Sequence, residues 1–437
     1  MQVRRAFLAA LIIVFAISGQ ALAAIEIQFW HAMPGELGRQ LGRIVAGFNA
    51  SQQTYKVIPV FKGSYTETVT AAIFAIRTRT HPALVQVSEI ATATMMAAKG
   101  AILPVYKLMH DHGETFATAR FLPAVAGYYA DADGKLLSYP FNVSTPILFY
   151  NKTLFRAAGL DDTEPPKTWP EMEKAAQRLR DAGVRCGFTS HWPSWVNVEN
   201  FMALHNLPLA SHSNGLKGLE AELELNNPVL VRHIDTLAKW QKTKLFDYGG
   251  RGTEAEAKFI DGECGMLIGS SALLADLRAH AKFAVGFGKM PYWPDVSGAP
   301  QNSIIGGASL WVLRGRPEKE YRGVAKFLAY LSRPDVQLTW HRKTGYLPIT
   351  QAGYDYERKH GFYKTSPGTA AGIEQLMLHP PTENSKGIRL GSFILIRDVI
   401  EDALEDIFAG KKSAQEGLDE ATKRGNELLR QFERANQ

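Results

Sequence analysis

The feature that most constrains the fold is a regular alternation of strand and helix patterns that begins at residue 25. Residues 25–30 alternate between apolar and polar side chains, and a helix opening at Pro34 follows, with its apolar residues on one face. Residues 55–61, 66–77 and 83–87 continue the series as strand, helix and strand. This order predicts an α/β fold with a mostly parallel sheet.

In sheets of this class, ligands bind beyond the carboxyl ends of the strands. The loops that follow the three predicted strands carry the aromatic pair Trp30 and His31, then Tyr65, then the carboxylate Glu89. Because these loops meet at one edge of the sheet, we expect a binding site there.

The first residues have the pattern of a secretory signal peptide. Arg4 and Arg5 precede an apolar run at residues 6–18, and small residues lead to a predicted cleavage after Ala23. The apolar run is short for a membrane span. No cysteine lies near the predicted cut, so we expect an exported protein without a lipid anchor.

The net charge and the length of the chain indicate which partners and how many domains to expect. Removal of Arg4 and Arg5 leaves 47 basic and 43 acidic residues, a net charge of +4, and no block of Lys or Arg stands out. Nucleic acid is therefore not an expected partner. About 410 mature residues are too many for one ordinary core, which predicts two domains.

The chain has two cysteines, Cys186 and Cys264, each followed by glycine in a short apolar run. An oxidising compartment favours a disulfide between them, and two buried free thiols are the alternative. A metal site is disfavoured because no histidine pair lies nearby.

A second informative stretch is residues 300–313, in which Ile304 and Ile305 lead into Gly306 and Gly307 and then into an alternating run. The pattern predicts a strand whose backbone is bare at the two glycines. Glycine inside a strand marks a bulge or a close approach by a ligand or another chain. A bulge packed on a helix and a ligand-facing bend are both compatible with the sequence.

Several other elements carry candidate residues. Strands are predicted at residues 136–141, 146–150, 186–189 and 264–268, with a loop at residues 142–145 between the first two. Thr168 is predicted to cap a long helix. Trp192 and Trp195 are interpreted either as core residues or as an apolar wall. Ser270 lies in a small polar turn that favours either anion binding or ordinary helix capping.

Motifs of enzyme chemistry are missing from the sequence. It contains no nucleophile elbow, phosphate loop or zinc-protease motif, and no histidine cluster at metal spacing. Glu89 is compatible with half of a glycosidase carboxylate pair, but no partner is indicated by spacing. We therefore predict no catalytic residue, no metal and no cofactor.

At this point several motifs together resemble a known family. Phe-Trp-His at residues 29–31, Gly-x-Cys-Gly-Met at 262–266, Gly-Gly-Ala-Ser-Leu-Trp-Val at 306–312 and Thr-Gly-Tyr-Leu-Pro-Ile at 344–349 resemble the solute-binding proteins of ABC-type importers. Residues 29–38, 91–97 and 300–311 narrow the resemblance to the periplasmic binding proteins for sn-glycerol 3-phosphate. The resemblance covers essentially the whole mature chain.

The resemblance implies a type II periplasmic binding protein fold: two α/β lobes, three hinge crossings and a ligand cleft between the lobes. The crossings are expected near residues 142–144, 302–305 and 345–349. The implied division is a signal peptide at 1–23, lobe I at 24–142 and 305–345, and lobe II at 143–304 and 346–437.

The same resemblance implies a set of ligand contacts. They are Tyr65, Glu89, Ser144, Trp192, Ser270, Gly307, Tyr346 and Arg397. Arg397 is expected to pair with a phosphate in bidentate fashion, Glu89 to accept from glycerol hydroxyls, and Trp192 to form an apolar wall. On the residues alone, Arg397 is also compatible with a helix-surface ion pair, and the tyrosines with core packing.

The function implied is capture of sn-glycerol 3-phosphate, or of a glycerophosphodiester such as glycerophosphocholine, by a monomeric periplasmic protein. The protein then delivers the ligand to the permease subunits of an ABC importer in the inner membrane. Val143 and Ser88 depart from the family pattern beside two binding positions, which favours an altered ligand preference. An oligosaccharide-binding protein on the same scaffold is the alternative, followed by an exported glycoside hydrolase-like enzyme.

Overall fold

The computed structural model describes residues 23–98 and 100–436. Apart from Ala23, the predicted signal peptide lies outside these residues. None of the helices in the described part is long and apolar enough to span a bilayer.

The described chain alternates strands and helices at its start, and later parts contain runs of consecutive helices, the longest of which follows β10. The elements up to the first return of the chain are β1 (Ile25–His31), α1 (Gly35–Ser51), β2 (Tyr55–Phe61), α2 (Tyr65–Thr78), β3 (Leu84–Ser88), α3 (Thr92–Ala97), β4 (Ile102–Leu103), α4 (Val105–Asp111), α5 (Pro123–Tyr129) and β5 (Tyr139–Ser144). The next group is β6 (Pro146–Asn151), α6 (Lys152–Ala157), α7 (Trp169–Asp181), β7 (Cys186–Ser190), α8 (Phe201–Leu204), α9 (Ser211–Asn214), α10 (Pro228–Thr243), α11 (Ala255–Ile260), β8 (Cys264–Ser270), α12 (Leu274–His280) and β9 (Val285–Gly288). The last group is β10 (Gly306–Leu313), α13 (Glu318–Leu331), α14 (Pro334–Thr344), α15 (Gln351–Lys359), α16 (Phe362–Thr365), α17 (Pro367–Leu376), α18 (Phe393–Phe408) and α19 (Ala414–Asn436).

The strands form two separate sheets. The first has the order β2-β1-β3-β10-β4, with β5 also paired to β10, and the second has the order β7-β8-β6-β9. Strands β1, β2 and β3 are parallel, as predicted, but β10 runs antiparallel to β3, β4 and β5. The expectation of a mostly parallel sheet is therefore wrong beyond the first three strands, because β10 enters from the second sheet and runs in the opposite direction.

Local sequence chemistry explains why these helices begin where they do. Helix α1 buries the predicted apolar face, including Leu41, Val45 and Phe48. Thr168 caps α7 as predicted, and its side chain forms a capping box with Glu171. Each sheet has its own buried cluster of apolar side chains, to which neighbouring helices contribute.

The cysteine alternatives are resolved in favour of the disulfide. Cys186 in β7 and Cys264 in β8 are direct partners in a parallel strand pair, with their Cα atoms 4.5 Å apart, and they are bonded to each other. The disulfide therefore joins two neighbouring strands in the core of the second sheet.

Two strand boundaries differ from the sequence predictions. Residues 142–144 are not a loop but the end of β5, where Ser144 pairs with Gly306. Only Thr145 separates β5 in the first sheet from β6 in the second. Ile304 and Ile305 lie outside β10, which begins at Gly306, and the Ile304 N–H donates to the Asn200 side-chain oxygen at 2.9 Å rather than to a neighbouring strand.

Candidate ligand-binding site

A cleft of about 590 Å³ lies where the ends of strands from both sheets meet. Its volume is in the range of small-ligand sites. All eight predicted ligand contacts line it, namely Tyr65, Glu89, Ser144, Trp192, Ser270, Gly307, Tyr346 and Arg397. Their sequence positions span more than three hundred residues, so the fold alone brings them together.

Two serines end strands on opposite sides of the junction between the sheets. Ser144 is the last residue of β5, and Ser270 is the last residue of β8, where it pairs with Pro146. The Ser270 hydroxyl oxygen accepts from the Ala272 N–H at 3.2 Å, so it caps the following turn. Its own hydrogen remains able to donate to a ligand, and the two interpretations of this residue are compatible.

The glycine pair leaves the backbone bare because no side chain fits there. A Cβ at Gly306 would collide with the ring of Trp195, and one at Gly307 would collide with the Asn142 carbonyl oxygen. Gly307 also has φ +107°, a conformation that side chains rarely adopt. Gly306 and Gly307 both line the cleft, so the ligand-facing interpretation fits better than a bulge packed on a helix.

The two tyrosines supply hydroxyl groups that stay protonated. The Tyr65 hydroxyl accepts from the Asn142 amide at 2.9 Å, and burial, with the nearby Tyr346, raises the pKa of Tyr65 well above its usual value. Burial likewise raises the pKa of Tyr346 to about 12. Tyr346 also stacks on Trp340, so it serves the core and the cleft at once.

Arg397 on α18 is a buried ion-pair residue rather than a helix-surface one. Its Nε and Nη2 atoms donate to the two carboxylate oxygens of Glu199 at 2.8 and 2.7 Å, and Nη2 also donates to Glu89 at 3.1 Å. Burial lowers the pKa of Arg397, but the two carboxylates more than offset this, so the pKa is raised overall. The fork expected to pair with a phosphate is therefore engaged by Glu199.

Glu89 follows β3 and is nearly buried at the cleft surface. Burial raises the pKa of Glu89, and Arg397 opposes this shift. A carboxylate in this position accepts hydrogen bonds from donors that enter the cleft, which suits the hydroxyl groups of a polyol.

Other polar residues at the site were not predicted from the sequence. His191 lies within 2.7 Å of Glu256 through Nδ1, and its Nε2 atom accepts from the backbone N–H of Ser270. The His191 ring therefore holds the end of β8 in position through its hydrogen bond with the Ser270 backbone. Glu199 was also missed, because it gives no local signal and meets Arg397 only in the folded chain.

The tryptophans occupy different positions. Trp192 is half-buried, with a left-handed backbone (φ +47°), and borders the cleft. Trp195 is buried, opens a π-helix (Trp195–Asn200) and covers Gly306. Both residues line the cleft, so the wall interpretation applies to both, and the core interpretation also applies to the buried Trp195.

The two residues that depart from the family pattern, Ser88 and Val143, lie in different environments. Ser88 lines the cleft beside Glu89. Val143 is fully buried in the core of the first sheet and is not among the residues that line the cleft. Of the two departures, only Ser88 therefore contacts the cleft directly, and the altered ligand preference stays a prediction.

The two sheets and the polar cleft between them define a class of protein: a binding protein of the type II periplasmic fold. The chain belongs to the family of bacterial extracellular solute-binding proteins, whose pattern it matches over residues 43–370. This confirms the expected family and fold, and it identifies a binding protein rather than an enzyme.

Individual relatives narrow the comparison. The chain is 49% identical to the sn-glycerol-3-phosphate-binding periplasmic protein UgpB of Salmonella typhimurium, over 96% of both chains. It is 47% identical to UgpB of Escherichia coli, over 98% of this chain and 97% of the relative. Among solved structures, the chain is similar to UgpB of Mycobacterium tuberculosis in complex with glycerophosphocholine, with a TM-score of 0.78 and 20% sequence identity. The match covers 93% of this chain and 98% of the UgpB chain.

A maltose-bound binding protein of T. maritima shares the fold as well. The TM-score is 0.74 at 17% sequence identity, and the match covers 93% of this chain and 100% of the T. maritima chain. At this level of identity the likeness concerns the fold alone. The fold is thus one that serves both phosphate-containing and sugar ligands in related proteins.

Proposed function

We propose that this protein is the periplasmic solute-binding component of an ABC importer and captures sn-glycerol 3-phosphate or a glycerophosphodiester. The observation that carries the proposal is the meeting of all eight predicted contacts around one cleft. Near-half identity over almost the full length to proteins named for binding sn-glycerol 3-phosphate supports it.

The chemistry of the cleft suits a polar ligand with two unlike ends. The Ser144, Ser270 and Tyr346 hydroxyls and the Gly307 N–H are donors for phosphate oxygens. Glu89 is an acceptor for hydroxyl groups, and Trp192 offers an apolar surface for carbon atoms. The Nη1 group of Arg397, which is not engaged by Glu199 or Glu89, remains a donor toward the ligand.

Binding is coupled to lobe closure in this proposal. The cleft residues come from both sheets, and a ligand that contacts both sets stabilises the closed arrangement. The closed monomer then docks on the permease subunits. In this proposal the lobes divide near residues 142–144, 302–305 and 345–349.

Titration calorimetry of the protein from residue 24 onward tests the proposed function. The ligands are sn-glycerol 3-phosphate and glycerophosphocholine, with glycerol and maltose as controls. We expect one-to-one binding of a phosphate ligand and none of glycerol or maltose. Binding of maltose alone would instead make the protein an oligosaccharide-binding protein on the same scaffold.

A further inference from the structure

The pairing of Arg397 with Glu199 has the geometry of a fully formed ion pair. Glu199 is 2% exposed and receives both Nε and Nη2 of the guanidinium, while Glu89 receives Nη2 as well. These contacts use three of the five N–H donors of Arg397. The two donors on Nη1 are left for other partners.

Glu199 is itself held in place by the backbone and side chains around it. It belongs to the π-helix Trp195–Asn200, a form of helix that is rare and often found at functional sites. The Ser194 hydroxyl donates to Glu199 at 3.1 Å, and the Ser194 N–H donates to Glu401 at 2.9 Å. The carboxylate that meets Arg397 is therefore a built part of the site.

The electrostatic result is that the positive charge of Arg397 is neutralised at the cleft. Arg397 faces the carboxylates of Glu199 and Glu89 within hydrogen-bonding distance, so the trio carries no excess positive charge when both are ionised. A small anion that enters the cleft meets neutral hydroxyl donors, the Nη1 group of the neutralised Arg397 and the oxygen of Glu89. If the ligand also carries a hydroxyl group, that group donates a hydrogen bond to the Glu89 carboxylate, and the contact with Glu89 becomes favourable.

We propose that Glu199 is a specificity-determining residue: it neutralises Arg397, so that the cleft binds organic phosphates with hydroxyl groups and excludes inorganic phosphate. This inference rests on the proposed function. Discrimination of this kind arises from an unfavourable contact with the wrong ligand as much as from favourable contacts with the right one.

The variant Glu199→Gln tests the proposal because it keeps the shape of the side chain and removes its charge. We expect affinity for inorganic phosphate to rise by about tenfold or more, as expected for unmasking a buried charge. The ratio of affinities for sn-glycerol 3-phosphate and inorganic phosphate should fall by a similar factor. Glu199→Asp, which keeps the charge, should retain the exclusion of inorganic phosphate.

A matched control is available elsewhere in the chain. Glu357 is fully buried and receives Nε and Nη2 of Arg342 at 2.7 and 3.0 Å, but neither residue lines the cleft. Glu357→Gln should therefore leave the ligand ratio unchanged, although it breaks an ion pair with the same bidentate geometry.

The outcomes separate the inference from the proposed function. Equal weakening of both ligands by Glu199→Gln, without a gain for inorganic phosphate, would overturn the inference and leave Glu199 a positioning residue only. Wild-type protein that binds inorganic phosphate as tightly as sn-glycerol 3-phosphate would also overturn it, whether or not the variant folds. Wild-type protein that binds no glycerophosphate would refute the proposed function. In that case a higher affinity of Glu199→Gln for inorganic phosphate still tests whether Glu199 neutralises Arg397.

Discussion

At the scale of single residues, the site combines side chains that the sequence predicted with others that were found only in the folded chain. The sequence and its family resemblance predicted eight cleft residues, and the fold gathers all of them at one cavity. Glu199 and His191 were not predicted, because each acts through a partner distant in sequence, Arg397 and Glu256 respectively. Contacts of that range leave no pattern in a single sequence.

Gly307→Ala is expected to destabilise the protein by about 2–4 kcal/mol. The added Cβ would meet the Asn142 carbonyl oxygen, and the positive φ of Gly307 strains any side chain. Thermal unfolding measures the effect. Gly42→Ala in α1 is the control, because a Cβ there meets nothing within 4 Å and alanine favours a helix. Equal stability of the Gly307 variant and wild type would refute this interpretation.

Glu401 is expected to make stability depend on pH. Burial raises its pKa from 4.5 to about 8, and one of its carboxylate oxygens has no hydrogen-bond partner among the described residues. Because the folded state binds the proton more tightly, this contribution is complete below about pH 4.5 and is lost as the pH rises to about 8.

The corresponding measurement compares wild type with Glu401→Gln by chemical unfolding at pH 5 and pH 8. Between these values the wild type should lose about 3–4 kcal/mol of stability relative to the variant, since the change is at most ~1.4 kcal/mol per pH unit. Parallel pH profiles for the two proteins would show that Glu401 does not titrate in this range.

At the scale of elements, the sequence patterns located eight of the ten described strands, and the errors in strand boundaries lie where the chain changes sheets. Residues 142–144 look like a loop because polar residues interrupt an apolar run, yet β5 continues to Ser144 through pairing with β10. Helices α15, α16 and α17 were not predicted, since their short segments rely on packing rather than on a long apolar stripe.

The disulfide between β7 and β8 is expected to stabilise the second sheet. Cys186 and Cys264 are 78 residues apart, and a loop of this length corresponds to about 4.5 kcal/mol in the chain-entropy account. Replacing both cysteines with alanine should lower the midpoint of thermal unfolding. A reductant should lower the midpoint of the wild type but not of the double variant. Two titratable thiols in the unfolded, unreduced protein would contradict the assignment.

At the scale of the whole molecule, the strand–helix order indicated the α/β class, and the family resemblance supplied the two-lobe arrangement. Nothing in the local pattern shows that β10 returns to the first sheet in the antiparallel direction, because that pairing joins segments more than two hundred residues apart. The cleft exists only because both sheets are complete. Ligand capture is therefore a property of the assembled molecule rather than of either sheet.

The most direct test of the account is a crystal structure of the protein grown with saturating sn-glycerol 3-phosphate. We predict the ligand in the cleft, with its phosphate oxygens within hydrogen-bonding distance of the Ser144 and Ser270 hydroxyls and the Gly307 N–H, and its glycerol hydroxyls at Glu89. A ligand bound outside the cleft, or a cleft that stays empty at saturation, would contradict the central claim.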